Sequence, residues 1–139
     1  MSDTSLRVVD ASVAVKWFVT RDEEAVEEAG ALLVAHAHSE GSLVGPSLLV
    51  HELTNALRRR RTEVPDLAAA TDVFFDFDVR LVPPDRELMV SAARLCAERQ
   101  LSTSDATYAA LALILDCELV TADRRLARAL DGVCPVRVL

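Results

Sequence analysis

Apolar and polar positions alternate along the chain between short extended runs and longer stretches with helical spacing. Leu6–Val9 is an apolar run of strand length, and Val13, Ala14, Trp17 and Phe18 behind it recur at helical intervals. Residues 22–36 predict a second helix, acidic in its first turn as the macrodipole favours. "SLVG" at 42–45 predicts a strand, and Pro46 is placed to open a helix running to about Arg60. Pro65 restarts the chain for a helix over 66–77, "VRLV" at 79–82 reads as a strand, and 85–99 as a helix. The serine-rich start of "STSDATYAALALIL" at 102–115 predicts another helix, "CELVT" at 117–121 a strand, 124–130 a short helix and "VRVL" at 136–139 a final strand. Such alternation predicts an α/β fold with a mostly parallel sheet, helices on both faces and right-handed crossovers.

With 139 residues the chain reads as one domain, 1–139, without an internal repeat or linker. A composition of 51% hydrophobic and 27% charged residues with only four glycines excludes disordered and collagen-like classes. The net charge of −7 repels phosphate backbones, so any nucleic-acid function must rest on local features. Cys96, Cys117 and Cys134 lack a C-x-x-C pair and read as small buried residues in a reducing compartment, which argues against zinc. Arg7, Asp10 and Lys16 interrupt the first apolar segment, and Ala106–Leu115 is too short to span a bilayer. The expectation is a soluble cytoplasmic protein with no membrane role.

Most acidic residues fall on predicted helix faces, Asp22–Glu24 among them, where solvation accounts for them. Four do not. Asp10 and Asp123 each end an apolar strand, a position where ligands bind in open α/β sheets, although each also suits a helix N-cap. Glu52 lies beside Leu48, Leu49, Leu53 and Ala56 on the apolar stripe of its helix, so it needs an arginine, a hydrogen-bond network or a metal as partner. Asp105 stands three residues after Ser102, a capping-box spacing at a helix start. Together the four could form one acidic cluster, whose repulsion is relieved by hard, oxygen-seeking Mg²⁺ or Mn²⁺. A pair of such ions can activate water and stabilise the leaving oxygen in phosphodiester cleavage.

From "VVDASVAVKWF" through "GPSLLVHELTNALRR" and "LSTSDATYAALA" to "LVTADRRLA", the chain resembles the PIN-domain nucleases, and among them the VapC-type toxins of toxin–antitoxin pairs. The resemblance implies a small three-layer α/β/α sandwich and Mg²⁺- or Mn²⁺-dependent endoribonuclease activity that leaves a 5′-phosphate. It implies that Asp10, Glu52, Asp105 and Asp123 are the acidic metal-binding set. In that reading Asp10 and Asp123 hold the principal metal, Glu52 coordinates it or orients water, and Asp105 completes the site. It also implies a homodimer silenced by a cognate antitoxin. Ser12 and Thr121 match small hydroxyl positions that could orient the carboxylates, with ordinary capping the expected role of Thr121. Alternatives are an RNA-processing PIN nuclease without a toxin role and an inactive RNA- or protein-binding module. A phosphate-accepting receiver domain fits poorly, since it needs paired acids at the first strand end and a late lysine.

"RRRR" at 58–61 is the one dense basic run. As a helix end it complements the dipole; as a functional feature, Arg58 and Arg59 could clamp phosphate, as could Arg124 and Arg125 beside Asp123. Trp17 reads as core or interface, and at least two of Phe74, Phe75 and Phe77 as core, with the remainder a candidate partner surface. His36, His38 and His51 read as surface or capping residues.

Overall fold

The computed structural model describes residues 5–139. Five strands, β1 (Leu6–Val9), β2 (Ser42–Pro46), β3 (Arg80–Val82), β4 (Glu118–Thr121) and β5 (Val136–Val138), form one sheet in the order β3-β2-β1-β4-β5, every neighbouring pair parallel. β1 lies at the centre, where Val8 and Val9 are fully buried, as expected of a strand covered on both faces. The edge strands β3 and β5 are only three residues long.

The helices are α1 (Ala11–Ala14), followed by a single 3₁₀ turn over Val15–Trp17, α2 (Val26–Ala37), α3 (Leu48–Arg58), α4 (Leu67–Asp76), α5 (Arg86–Arg99), α6 (Thr103–Leu115) and α7 (Arg124–Ala129). From β1 the sheet builds through β2 to β3 in one direction, then returns past β1 to β4 and β5. Right-handed crossovers therefore put α1–α4 on one face and α5–α7 on the other, the expected sandwich. The winding reverses between β1 and β4, and at such a switch point a crevice opens beyond the carboxyl ends of the strands.

Every predicted element is present, with two boundaries displaced. Pro46 does not open a helix; it is the last residue of β2, and Ser47 leads into α3. The second helix starts at Val26 because Asp22 and Ala25 take left-handed backbone conformations (φ 58° and 54°) that helix continuation forbids. The loop so formed removes Glu23 from the helix face expected for it. Its carboxylate takes hydrogen bonds from buried Lys16 Nζ (3.1 Å) and from Arg60 (2.9 Å). Arg60 also binds Glu63 and the carbonyl of Arg21, so this arginine of the basic run ties the loop to the end of α3. Gly45 lets Leu49 of α3 pack close to β2, since a Cβ there would sit 2.8 Å from Cδ2 of that buried side chain and force it to shift. The three cysteines are half-buried and free.

Trp17 donates from Nε1 to the carbonyl of Ala29 (2.9 Å) and meets Phe77 edge-on, while Phe74 is buried; Phe75 is 55% exposed. His36 bridges two segments of the fold, since one ring nitrogen accepts from the N–H of Leu43 and the other bonds the carbonyl of Asp78. No helix among the described residues is long and apolar enough to cross a membrane.

Candidate active site

The crevice beyond β1 and β4 is built around Asp10. Val9 pairs with Val120, so the next residues, Asp10 and Thr121, face each other across the two strand ends. Asp10 is only 7% exposed and Thr121 fully buried. The Ser12 hydroxyl donates to Oδ1 of Asp10 (2.5 Å), the Thr121 hydroxyl to Oδ2 (2.5 Å), and the Ser12 N–H to Oδ1 (3.1 Å). Asp10 is therefore the N-cap of α1 and a carboxylate fixed on both oxygens. Burial pushes its pKa up to about 6, and the hydroxyl and backbone donors pull the other way. Thr121 does more than the capping expected of it, because its oxygen also accepts the N–H of Asp123 (3.0 Å). One hydroxyl thus locates two of the four acids.

Glu52 stands on α3 at the edge of the face that buries Leu49, Leu53 and Leu57. Its partner is the phenol of Tyr108 on α6, which donates to Oε1 at 2.6 Å. Burial, then the neighbouring charges of Glu52 and Asp10, hold the Tyr108 phenol far above its usual range, so it remains a proton donor. The N–H of Asp105 is capped by the Ser102 hydroxyl (3.1 Å), as the spacing predicted. Its carboxyl is raised by partial burial and by the charge of Asp123, and lowered by Ser102 and Arg125. Asp123 caps α7, accepting from the N–H groups of Arg125 (3.0 Å) and Leu126 (3.2 Å) while remaining exposed.

Asp10, Glu52 and Asp105 line one open cleft of about 260 Å³, together with Asn55, Arg59 and Tyr108. Asp105 and Asp123 line an adjoining hollow of about 310 Å³ with Arg125 at its wall. Asp105 belongs to both and so connects the two groups of acids. Among the described residues no three of them close into a ready ligand group, and Glu52 is engaged by Tyr108. The donor chemistry, carboxylate and hydroxyl oxygens with no histidine or thiol, fits a hard divalent cation and not zinc.

Of the four arginines proposed for phosphate, Arg59 and Arg125 border the two acidic hollows. Arg58 is exposed and bonds the side chain of Asn55 (3.1 Å), and Arg124 lies beside Val138 and Leu139 at the β5 edge. Tyr108 and Asn55 did not stand out from the sequence. A signal was nonetheless present in spacing alone, since Tyr108 follows Asp105 by three residues on one helix and Asn55 follows Glu52 by three on another.

The sequence matches the PIN domain model over residues 7–131, nine-tenths of the chain and all four acids. The chain belongs to the PIN-domain family. Solved structures with the same fold include PAE2754 from Pyrobaculum aerophilum, 24% identical over 97% of this chain and 92% of that one, with a TM-score of 0.64. VapC20 of Mycobacterium tuberculosis, described as a sarcin-ricin loop cleaving toxin, is 20% identical over 94% and 98% (TM-score 0.70). VapBC2 of Rickettsia felis, solved with a promoter DNA fragment, is 12% identical over 96% and 98% (TM-score 0.70). No curated protein sequence matches this PIN domain.

Proposed function

We propose that this PIN domain is a Mg²⁺- or Mn²⁺-dependent endoribonuclease, the toxin of a toxin–antitoxin pair. The observation that carries this reading is the convergence of Asp10, Glu52 and Asp105 from three separate elements on one open cleft, with Asp123 in the adjoining hollow. Divalent cations, held by Asp10, Glu52, Asp105 and Asp123, would supply charge neutralisation at the scissile phosphate and an activated water.

The chain's own residues do the positioning. Ser12 and Thr121 hold the carboxylate of Asp10 in one orientation, so its geometry is set before substrate arrives. Tyr108 does the same for Glu52. Arg59 and Arg125 offer phosphate contacts on either side of the acids, local attraction in a molecule of net charge −7. Hydrolysis adds water across the P–O3′ bond, leaving a 3′-hydroxyl and a 5′-phosphate. The toxin assignment is supported by neighbours of the same fold, among them a toxin–antitoxin complex from Klebsiella pneumoniae at 16% identity (TM-score 0.66). This reading adds a cognate antitoxin, a homodimer and a cytoplasmic setting.

Purified protein incubated with structured RNA and Mn²⁺ is expected to cleave it, and Asp10→Asn and Glu52→Gln to reduce the rate by at least about a hundredfold. Equal cleavage by all three would overturn the assigned site.

A further inference from the structure

One face of α3 carries a sequence of different chemistries. Leu48 and His51 border an apolar slot of about 280 Å³, Glu52 and Asn55 the acidic cleft, and Arg59, just past the helix end, its far side. These positions follow the three-and-four spacing of one helical stripe. The Glu52–Tyr108 hydrogen bond joins α3 to α6 at the acidic cleft. From Leu48 to Glu52 is about 6 Å along the axis, and from Glu52 to Arg59 about 10 Å more.

The slot is walled by Pro46, Leu48, Val82 and Met89, with its polar groups confined to the α3–α6 side. There the Thr107 hydroxyl is committed to the carbonyl of Thr103 (2.7 Å), which leaves the hydroxyls of Ser47, Thr103 and half-buried Ser104 and the exposed ring of His51 on the rim. Apolar walls with hydrogen-bonding groups on one rim suit a flat aromatic ring with a polar edge. A chain of net charge −7 also needs an uncharged source of affinity for a polyanion, which burial of a base against apolar walls supplies.

We infer that this slot receives one unstacked base of the RNA strand, next to the phosphate that lies over the acids, and so sets base preference. The inference rests on the proposed ribonuclease function. The strand runs with its base between Leu48 and Met89, its edge toward His51 and Ser104, and its next phosphates toward Arg59.

The test is fluorescence anisotropy in EDTA with four labelled homo-octaribonucleotides and a base-free ribose-phosphate octamer. Wild type is expected to bind at least one homo-octamer about fivefold or more tightly than the base-free octamer. Met89→Trp, which fills the slot, and exposed His51→Ala, which removes a rim group without burdening the fold, are expected to cut that preference at least threefold and leave base-free binding unchanged. A preference unchanged in both variants overturns the slot while leaving the ribonuclease reading to its own cleavage assay. Failure of every octamer to bind overturns the slot, and the ribonuclease reading is judged by cleavage in Mn²⁺. A monomer–dimer equilibrium that shifts in Met89→Trp with base preference intact assigns the slot to a second copy and overturns the inference.

Discussion

Asp10 is held where its charge is expensive. Its folded pKa of about 6 lies above the ordinary 3.8, so between those values the folded protein keeps a proton that the unfolded chain has released. Stability from this group is present below pH 3.8, falls as pH rises through the window and is lost above about 6. Asp10→Asn is therefore expected to be more stable than wild type at pH 7.5, by about 1–2 kcal/mol, with the difference vanishing near pH 4. Urea denaturation at both pH values measures it, and an equal or lower midpoint at pH 7.5 would contradict the buried charge. Tyr108→Phe removes one hydroxyl from a packed site. It is expected to lower kcat about tenfold with little change in KM, since it releases Glu52 without touching the phosphate contacts. Thr121→Val removes the donor to Asp10 and the acceptor of the Asp123 N–H together, and should cost about 1–3 kcal/mol in the same denaturation experiment.

At the scale of elements, neighbours in the basic run stand in different settings, Arg59 at the cleft and Arg60 in the loop tie. Arg60→Ala breaks the tie between the 20–25 loop and the end of α3 and should lower the melting temperature with RNA affinity unchanged. Arg59→Ala should weaken binding across RNA sequences and reduce the salt slope by about 1, with stability unchanged. Nothing in "RRRR" distinguishes these two, because the distinction comes from Glu23, 37 residues away, in a loop that the acidic pattern disguised as a helix start. The elements themselves were legible because period-2 and period-3.6 patterns report burial directly, and burial decides this fold. Pro46 was misplaced for a local reason: proline suits a helix start and a strand end alike, and tertiary position chose the strand. The four acids stood out by their placement among apolar residues. Their supports were legible in part: Ser12 and Thr121 both stood out as hydroxyls able to orient carboxylates, but the pairing of Thr121 with Asp10 comes through the β1–β4 register, which no local signal encodes.

At the scale of the whole molecule, four neighbouring carboxylates within a net charge of −7 make the crevice a source of mutual repulsion that a cation relieves. Mn²⁺ at millimolar concentration is accordingly expected to raise the melting temperature of wild type by several degrees and that of Asp10→Asn by much less, as scanning calorimetry would record. An equal rise in both would place the ion elsewhere.

The sheet's borders bear on assembly. β3 and β5 are three residues each, and an arginine sits on both, Arg80 and Arg137. Edges this short and charged offer almost no ladder for a further strand. Sheet extension between copies, and the fibrous growth it seeds, is thereby disfavoured, and the apolar side chains exposed on helices, Phe75, Leu113 and Ile114, offer the better surface for self-association.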